Sequence, residues 1–268
     1  MERGEPRQPV IEVRDLVTHY GERQILKRIN LTIYQGEIMV IMGGSGSGKS
    51  TLLRHLMALE RATSGSIKLL GRELGALSQT ELYALCRKIG VAFQGGALFS
   101  SMTVGENIIL PLQEHTDLDR LTMEIMARLK LEVVNLAGFE RLMPSELSGG
   151  MIKRAALARA IITDPALLFC DEPSAGLDPV VSSALDELIL RLRAAMGMTI
   201  VVVTHELDSA FKIADRITVL DRGEILTVGT VDEVRSSDNE RIQSLLNRRF
   251  EEGEVDPDEY LARLMGQT

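Results

Sequence analysis

Residues 43–51 read Gly43-Gly44-Ser45-Gly46-Ser47-Gly48-Lys49-Ser50-Thr51, a G-x-x-x-x-G-K-[ST] run, and the five residues before it, 38–42, are all apolar. A short continuous apolar stretch is the pattern of a strand buried on both faces. Residues 49–59 read as a helix. Strand, glycine loop and helix in that order form a phosphate cradle, because glycines let successive backbone N–H groups curl around phosphate oxygens and the helix start adds a favourable dipole. Lys49 is then placed to reach the β and γ phosphates, and the Ser50 hydroxyl to ligate Mg²⁺.

Other β-type runs lie at 67–70, 89–93, 167–170, 199–203 and 217–220, and apolar residues alternate with polar ones over 29–33. Several helical patterns fall between them. That succession predicts an α/β fold with a mostly parallel sheet covered on both faces. From about residue 104 to 162 the pattern turns helical, with Leu121, Ile125, Leu129 and Leu131 assigned to one face, which predicts a helical subdomain inserted into the core. Beyond residue 231 a polar stretch precedes Ile242, Leu245 and Leu246, and an acidic break at 251–256 leads to Asp256-Pro257, a helix start, followed by Tyr260, Leu261, Leu264 and Met265. The organisation expected is one domain over 1–230, with the helical insert at about 95–162, and a helical C-terminal extension over 231–268.

A phosphate cradle that hydrolyses its ligand also needs a carboxylate for the metal and a base for the attacking water, both at the end of a buried strand. Residues 167–172 end in Asp171-Glu172. Asp171 is the candidate to hold Mg²⁺, directly or through water, and Glu172 the candidate general base.

With 30 Lys plus Arg against 38 Asp plus Glu, the chain carries a net charge of −8, so no global field draws it to nucleic acid or anionic lipid. Its two cysteines, Cys86 and Cys170, have no C-x-x-C spacing, which argues against a metal site or a disulfide framework and suits a reducing cytoplasm. No stretch reaches the roughly 18 to 20 apolar residues of a membrane span, and residues 1–9 have no apolar signal core. Work at a membrane would therefore go through partners that span it.

Leu147-Ser148-Gly149-Gly150-Met151 is a second glycine-rich helix start, with Arg154, Ala155, Ala156, Leu157, Ala158, Arg159 and Ala160 after it. One site has no use for two cradles from the same chain. On these motifs, over roughly residues 10 to 230, the sequence resembles the ABC transporter ATPases, whose Leu-Ser-Gly-Gly-Gln signature loop contacts the nucleotide of the opposite subunit. The resemblance implies a P-loop ABC-type core with an added N-terminal antiparallel β part, and ATP and Mg²⁺ as ligands. It matches Tyr20 to the aromatic residue that stacks on adenine, and Gln94 to the loop glutamine that touches Mg²⁺ or the attacking water and links the site to the permease. Residues 174–178 match the loop that crosses the dimer interface, and His205 matches the switch histidine that contacts the γ-phosphate. Two chains would face head to tail, each nucleotide between Lys49 of one and Ser148, Gly149 and Gly150 of the other.

Met151, where most relatives have Gln, and the segment 93–107 after the Gln loop resemble the Mla, Mce-linked and organic-solvent-tolerance ATPases, which energise phospholipid transport between bacterial membranes. Gly176-Leu177-Asp178-Pro179 is instead the form general to ABC ATPases. The partners implied are a second copy, transmembrane permease subunits, an Mce-domain protein and a small accessory protein at the tail, with no nucleic acid. The place implied is the cytoplasmic face of the bacterial inner membrane, held there by the permease. Leu98, Phe99 and Met102, beside Gln94, are candidates to receive a permease helix. The alternative functions are a small-solute importer, a non-transport ABC ATPase acting on DNA or the ribosome, and a nucleotide-binding regulator without turnover.

Overall fold

The computed structural model describes residues 7–247. Three antiparallel segments, β1 (Pro9–Tyr20), β2 (Arg23–Tyr34) and β4 (Ser64–Leu69), form one sheet with the short β5 (Arg72–Glu73), in the order β2-β1-β4-β5. Between them come β3 (Ile38–Met42) and α1 (Lys49–Leu56). After α2 (Gln79–Cys86) and β6 (Ile89–Ala92) the chain enters the helices α3 (Val104–His115), α4 (Arg120–Val133) and α5 (Gly149–Ala160). It returns through β7 (Leu167–Asp171), α6 (Pro179–Met196), β8 (Thr199–Thr204), α7 (Leu207–Ile213), β9 (Arg216–Asp221) and β10 (Glu224–Gly229). The last described helices are α8 (Val231–Arg235) and α9 (Glu240–Leu246). The second sheet runs β10-β9-β3-β8-β7-β6, parallel except for β10.

All five residues of β3 are buried, and period-two alternation divides them between two cores. Met39 and Ile41 join α1 and the antiparallel sheet on one side, while Ile38, Val40 and Met42 join α3 to α7 on the other. Each such side chain contributes about 1.5–3 kcal/mol through burial, so β3 is fixed between two layers. Cys170, inside β7, is wholly buried and its thiol is pushed up to about 12.

The inserted helices are where the expected subdomain lies, but the assignment of one α4 face is corrected. Leu121, Ile125 and Leu129 are exposed, and the buried stripe is Met123, Ala127 and Leu131. At about 100° per residue, positions 121 and 123 lie on opposite sides of the helix. The helix is apolar on both sides, and counting large side chains favours the wrong one because Ala127 is small. α1 also ends three residues earlier than expected, where Ala58 takes a φ of +59° and the chain turns.

The extension begins with α8 and α9 on this chain's own core, with Val234 and Ile242 buried and Arg241 paired to Asp221 at the end of β9. The helix expected from Asp256 lies outside the described residues. Among the described residues, no helix is long and apolar enough to cross a membrane.

Candidate functional site

Parallel register decides which residues meet. Met42 pairs with Thr204 and Asp171 with Val203, so the residues next along, Gly43, His205 and Glu172, emerge together beyond the carboxyl ends of the strands, where open α/β sheets bind ligands. They border a cleft of about 750 Å³ lined also by Gly44, Ser45, Lys49, Ser50, Gln94 and Asp171.

The loop before α1 depends on glycine at two points. A Cβ at Gly43 would stand 2.1 Å from the Leu220 carbonyl oxygen, and Gly48 has a φ of +105° with the Leu26 side chain 2.8 Å from where its Cβ would be. Gly48 is also the N-cap of α1 and offers no side chain to it, so the first N–H groups of the helix have no intrahelical acceptor. Lys49 Nζ donates to the carbonyls of Gly43 at 2.9 Å and Gly44 at 3.0 Å. Burial lowers its pKa, against the pull of Glu172 and Asp171. Ser47 and Thr51 are buried behind the loop, and Gly223 N–H holds the Ser47 carbonyl at 2.9 Å. Gly46 sits at the exposed tip with a φ of +73°.

Asp171 closes β7. Burial first, and then the Glu172 charge, raise its carboxyl above the usual range, with Lys153, Lys49 and Arg54 acting in the opposite direction. Glu172 is buried and has a φ of +46°, a left-handed conformation that costs a non-glycine residue about 1–2 kcal/mol. Its surroundings impose it. The Glu172 N–H donates to the Val203 carbonyl at 2.8 Å, His205 Nδ1 donates to Oε1 at 2.7 Å and Thr204 Oγ1 to Oε2 at 3.2 Å, and Lys153 Nζ donates to the carbonyl at 3.1 Å. Strain of this kind gathers at sites where geometry serves chemistry. A buried carboxylate fixed by a histidine, beside an ammonium and a glycine cradle, can accept a proton from water held at a phosphate.

Gln94, two residues past β6, lines the same cleft, level with Glu172 just past the neighbouring strand β7, since Ala92 pairs with Cys170. Tyr20 does not line it. Its ring is exposed at the end of β1, with the hydroxyl donating to Glu60 Oε2 at 2.6 Å, and Glu60 is also paired with Arg54. Ser148, Gly149 and Gly150 also lie outside the cleft, where Ser148 caps α5 by accepting from the Met151 N–H at 3.4 Å. In the 174–178 loop, Asp178 caps α6 through Val180 and Val181, both at 3.0 Å.

Two contributors were not foreseen. Ser244 and Leu245 of α9 complete one wall of the cleft. The apolar spacing of Ile242, Leu245 and Leu246 signals a packed helix but not the place where it packs. Lys153 is the other, and in the sequence it is one cation among several on a surface helix.

This fold and this cleft define a nucleotide-hydrolysing cassette. The family model described as "ABC transporter" matches residues 26–175, and the chain belongs to that family, as an ATP-binding subunit that hydrolyses ATP. It is 40% identical over 238 residues to the intermembrane phospholipid transport system ATP-binding protein MlaF of Escherichia coli K12, covering 89% of this chain and 88% of that one. It is 39% identical over 249 residues to a probable ribonucleotide transport ATP-binding protein of Mycobacterium leprae, covering 92% of this chain and 72% of that one. Among solved structures, the dimeric post-hydrolysis state of the ATP-binding cassette MJ0796, bound to ADP and Pi, is 32% identical with a TM-score of 0.76, covering 82% of this chain and 98% of that one.

Proposed function

We propose that this chain is the ATP-hydrolysing subunit of a transporter that moves phospholipid between the inner and outer membranes of a bacterium. The observation that carries the substrate class is the 40% identity, across 88% of its length, to an ATP-binding protein named for intermembrane phospholipid transport. Relatives named for ribonucleotide transport match at 39–40% identity, but over 67–72% of their length.

In this reading Lys49 and the N–H groups before α1 bind the β and γ phosphates, and the Tyr20 ring stacks on adenine. The Ser50 hydroxyl, the Gln94 amide oxygen and the Asp171 carboxylate share one cleft, and oxygen donors of this kind suit Mg²⁺. The raised pKa of Asp171 marks a desolvated carboxylate that a cation would satisfy. Mg²⁺ bound there would neutralise charge on the phosphate oxygens. Glu172, steadied by His205 and Thr204, takes the proton of the water that attacks the γ-phosphorus in line, and His205 is placed to contact the γ-phosphate. Positioning and charge neutralisation carry most of the rate in such reactions.

The outward position of Ser148, Gly149 and Gly150 supports a head-to-tail dimer in which they close the partner's cleft. The MJ0796 structure is itself a dimer. A groove of about 390 Å³ beside Gln94, lined by Phe93, Phe99, Leu110 and Pro111, suits a permease helix; of the three candidates named for that role, only Phe99 lines it. The assembly would include an Mce-domain protein and an accessory protein at the 231–268 extension, beyond the ATPase domain of 1–230, on the cytoplasmic face of the inner membrane. The test is to purify the whole assembly from membranes and reconstitute it in vesicles. ATP-dependent movement of labelled phospholipid is the expected result, whereas movement of a ribonucleotide, or recovery with a solute-binding protein, would replace the substrate class while leaving the ATPase in place.

A further inference from the structure

Helix α5 is latched by two cations to the loop after β6, and through one of them to Glu172. Lys153 Nζ donates to the carbonyl of Gln94 and, at 3.1 Å, to that of Glu172. Six positions on, the Arg159 guanidinium donates to the carbonyls of Gly96 at 2.9 Å and Ala97 at 2.8 Å. The loop can lie this close to α5 because residue 96 is glycine: a Cβ there would stand 2.6 Å from Ile152 Cγ2, and its φ is +76°.

The two carbonyls that share the Lys153 ammonium stand side by side, each two residues beyond a pair, Ala92 with Cys170, on the neighbouring strands β6 and β7. Two carbonyl dipoles converging on a cation are held more firmly than by a neutral donor. One of them belongs to Glu172, whose left-handed backbone persists only while its surroundings over-determine it. Lys153 itself rides on the helix that begins with Ser148-Gly149-Gly150, so a shift of that helix is felt at both carbonyls.

We propose that Lys153 is a positioning residue for ATP hydrolysis, holding the Gln94 and Glu172 backbones together so that the position of α5 sets the aim of the general base. The proposal rests on the reading of Glu172 as that base. A plain structural tether would make the same contacts, but its loss would weaken folding and nucleotide binding together. A positioning role lowers turnover alone.

The experiment measures ATP dissociation constant and kcat for the full-length chain in its transporter assembly, with Lys153→Met, Lys153→Arg, Glu172→Gln and the Lys153→Met/Glu172→Gln pair, the slow variants by single turnover. Lys153→Met is expected to lower kcat about 10- to 100-fold, the cost of a small misplacement of a reacting group, with ATP affinity within about twofold of the parent. Lys153→Arg, which keeps donors for both carbonyls, restores most of the rate. In the Glu172→Gln background Lys153→Met adds little, because residues acting as one unit are not additive. Unchanged kcat in Lys153→Met, equal losses in affinity and rate, or a full further loss on top of Glu172→Gln would each overturn the proposal. Should Lys153→Met not fold, Lys153→Gln decides on the same split between rate and affinity. If Glu172→Gln alone turns over normally, the base assignment fails; if it stalls while Lys153→Met is normal, only the role of Lys153 fails.

Discussion

Two helices in this chain start on glycine-rich loops, α1 after Gly48 and α5 after Ser148, and they differ in what they leave unsatisfied. Every other described α-helix carries an acidic residue at its N-cap or in its first turn, as in the Ser78–Glu81, Thr103–Glu106 and Thr230–Glu233 capping boxes or the Asp119 and Asp178 caps. α1 and α5 carry none. A first-turn carboxylate compensates the positive end of the helix from within, and these two starts lack that compensation. α1 has no cap at all and faces its own cleft. α5 keeps a serine cap and faces away, with no catalytic carboxylate beside it. In the function proposed above, the first start holds phosphate and the second completes the partner's site.

The sharpest way to break that comparison is to remove the cation from the first start. Lys49→Ala should weaken ATP binding by at least about 100-fold, the usual loss when one partner of a buried charge-assisted contact is deleted, as read by titration with a fluorescent ATP analogue; near-normal affinity would mean that α1 is not the phosphate site. The second start should respond differently. A Cβ at Gly149 meets nothing nearer than Leu177 Cδ2 at 3.6 Å, so Gly149→Asp fits, and its charge should depress turnover roughly 100-fold by repelling the partner's nucleotide. ATP affinity of the separate chain should stay within about twofold, since distant sites act independently. If affinity falls as well, the two starts serve one cleft.

A finer test exploits Met151, the third residue of α5, where Glu or Gln would complete a capping box with Ser148. The two variants have the same shape and differ in charge. Met151→Glu should be the more stable of the pair by about 0.3–1 kcal/mol and the less active, by thermal melting and ATPase assay; equal activity would remove the anion from the account of α5. The smallest effect is electrostatic. In the Ser78–Glu81 box, hydrogen bonds from the Ser78 backbone and side chain, then from Arg72, push Glu81 down to about 2 from an ordinary 4.5. Its contribution is therefore complete above the ordinary carboxylate range and is lost as pH falls toward 2. An NMR titration should place its midpoint there, and a midpoint near 4.5 would show the box open in solution.

The cradle and its partners were legible because each stands where a strand ends, and a strand's end is marked in sequence by the switch from apolar to polar residues. Lys49, Asp171, Glu172 and His205 meet for that reason, and parallel register does the rest. β1 was not legible from its residues. Register shifts on both of its partners, with Asp15 at a φ of +45°, put Val13 and Leu16 on the core side three positions apart, which destroys the alternation of a flat strand. The buried face of α4 was hidden by the two-sided apolar pattern, and the cleft wall made by Ser244 and Leu245 depends on a long-range packing choice that no local pattern records.

The strand that carries the phosphate loop has a particular place in time. β3 is made early, but its neighbours on either side are β8, pairing Ile38 with Ile200, and β9, pairing Met39 with Arg216. At a synthesis rate of about 5–20 residues per second, five fully apolar residues wait roughly ten to thirty seconds for a hydrogen-bonded partner. Until then β3 has neither of its hydrogen-bonding neighbours, and the cleft its loop borders is completed only by residues of the carboxyl-terminal third, His205 and Leu245 among them.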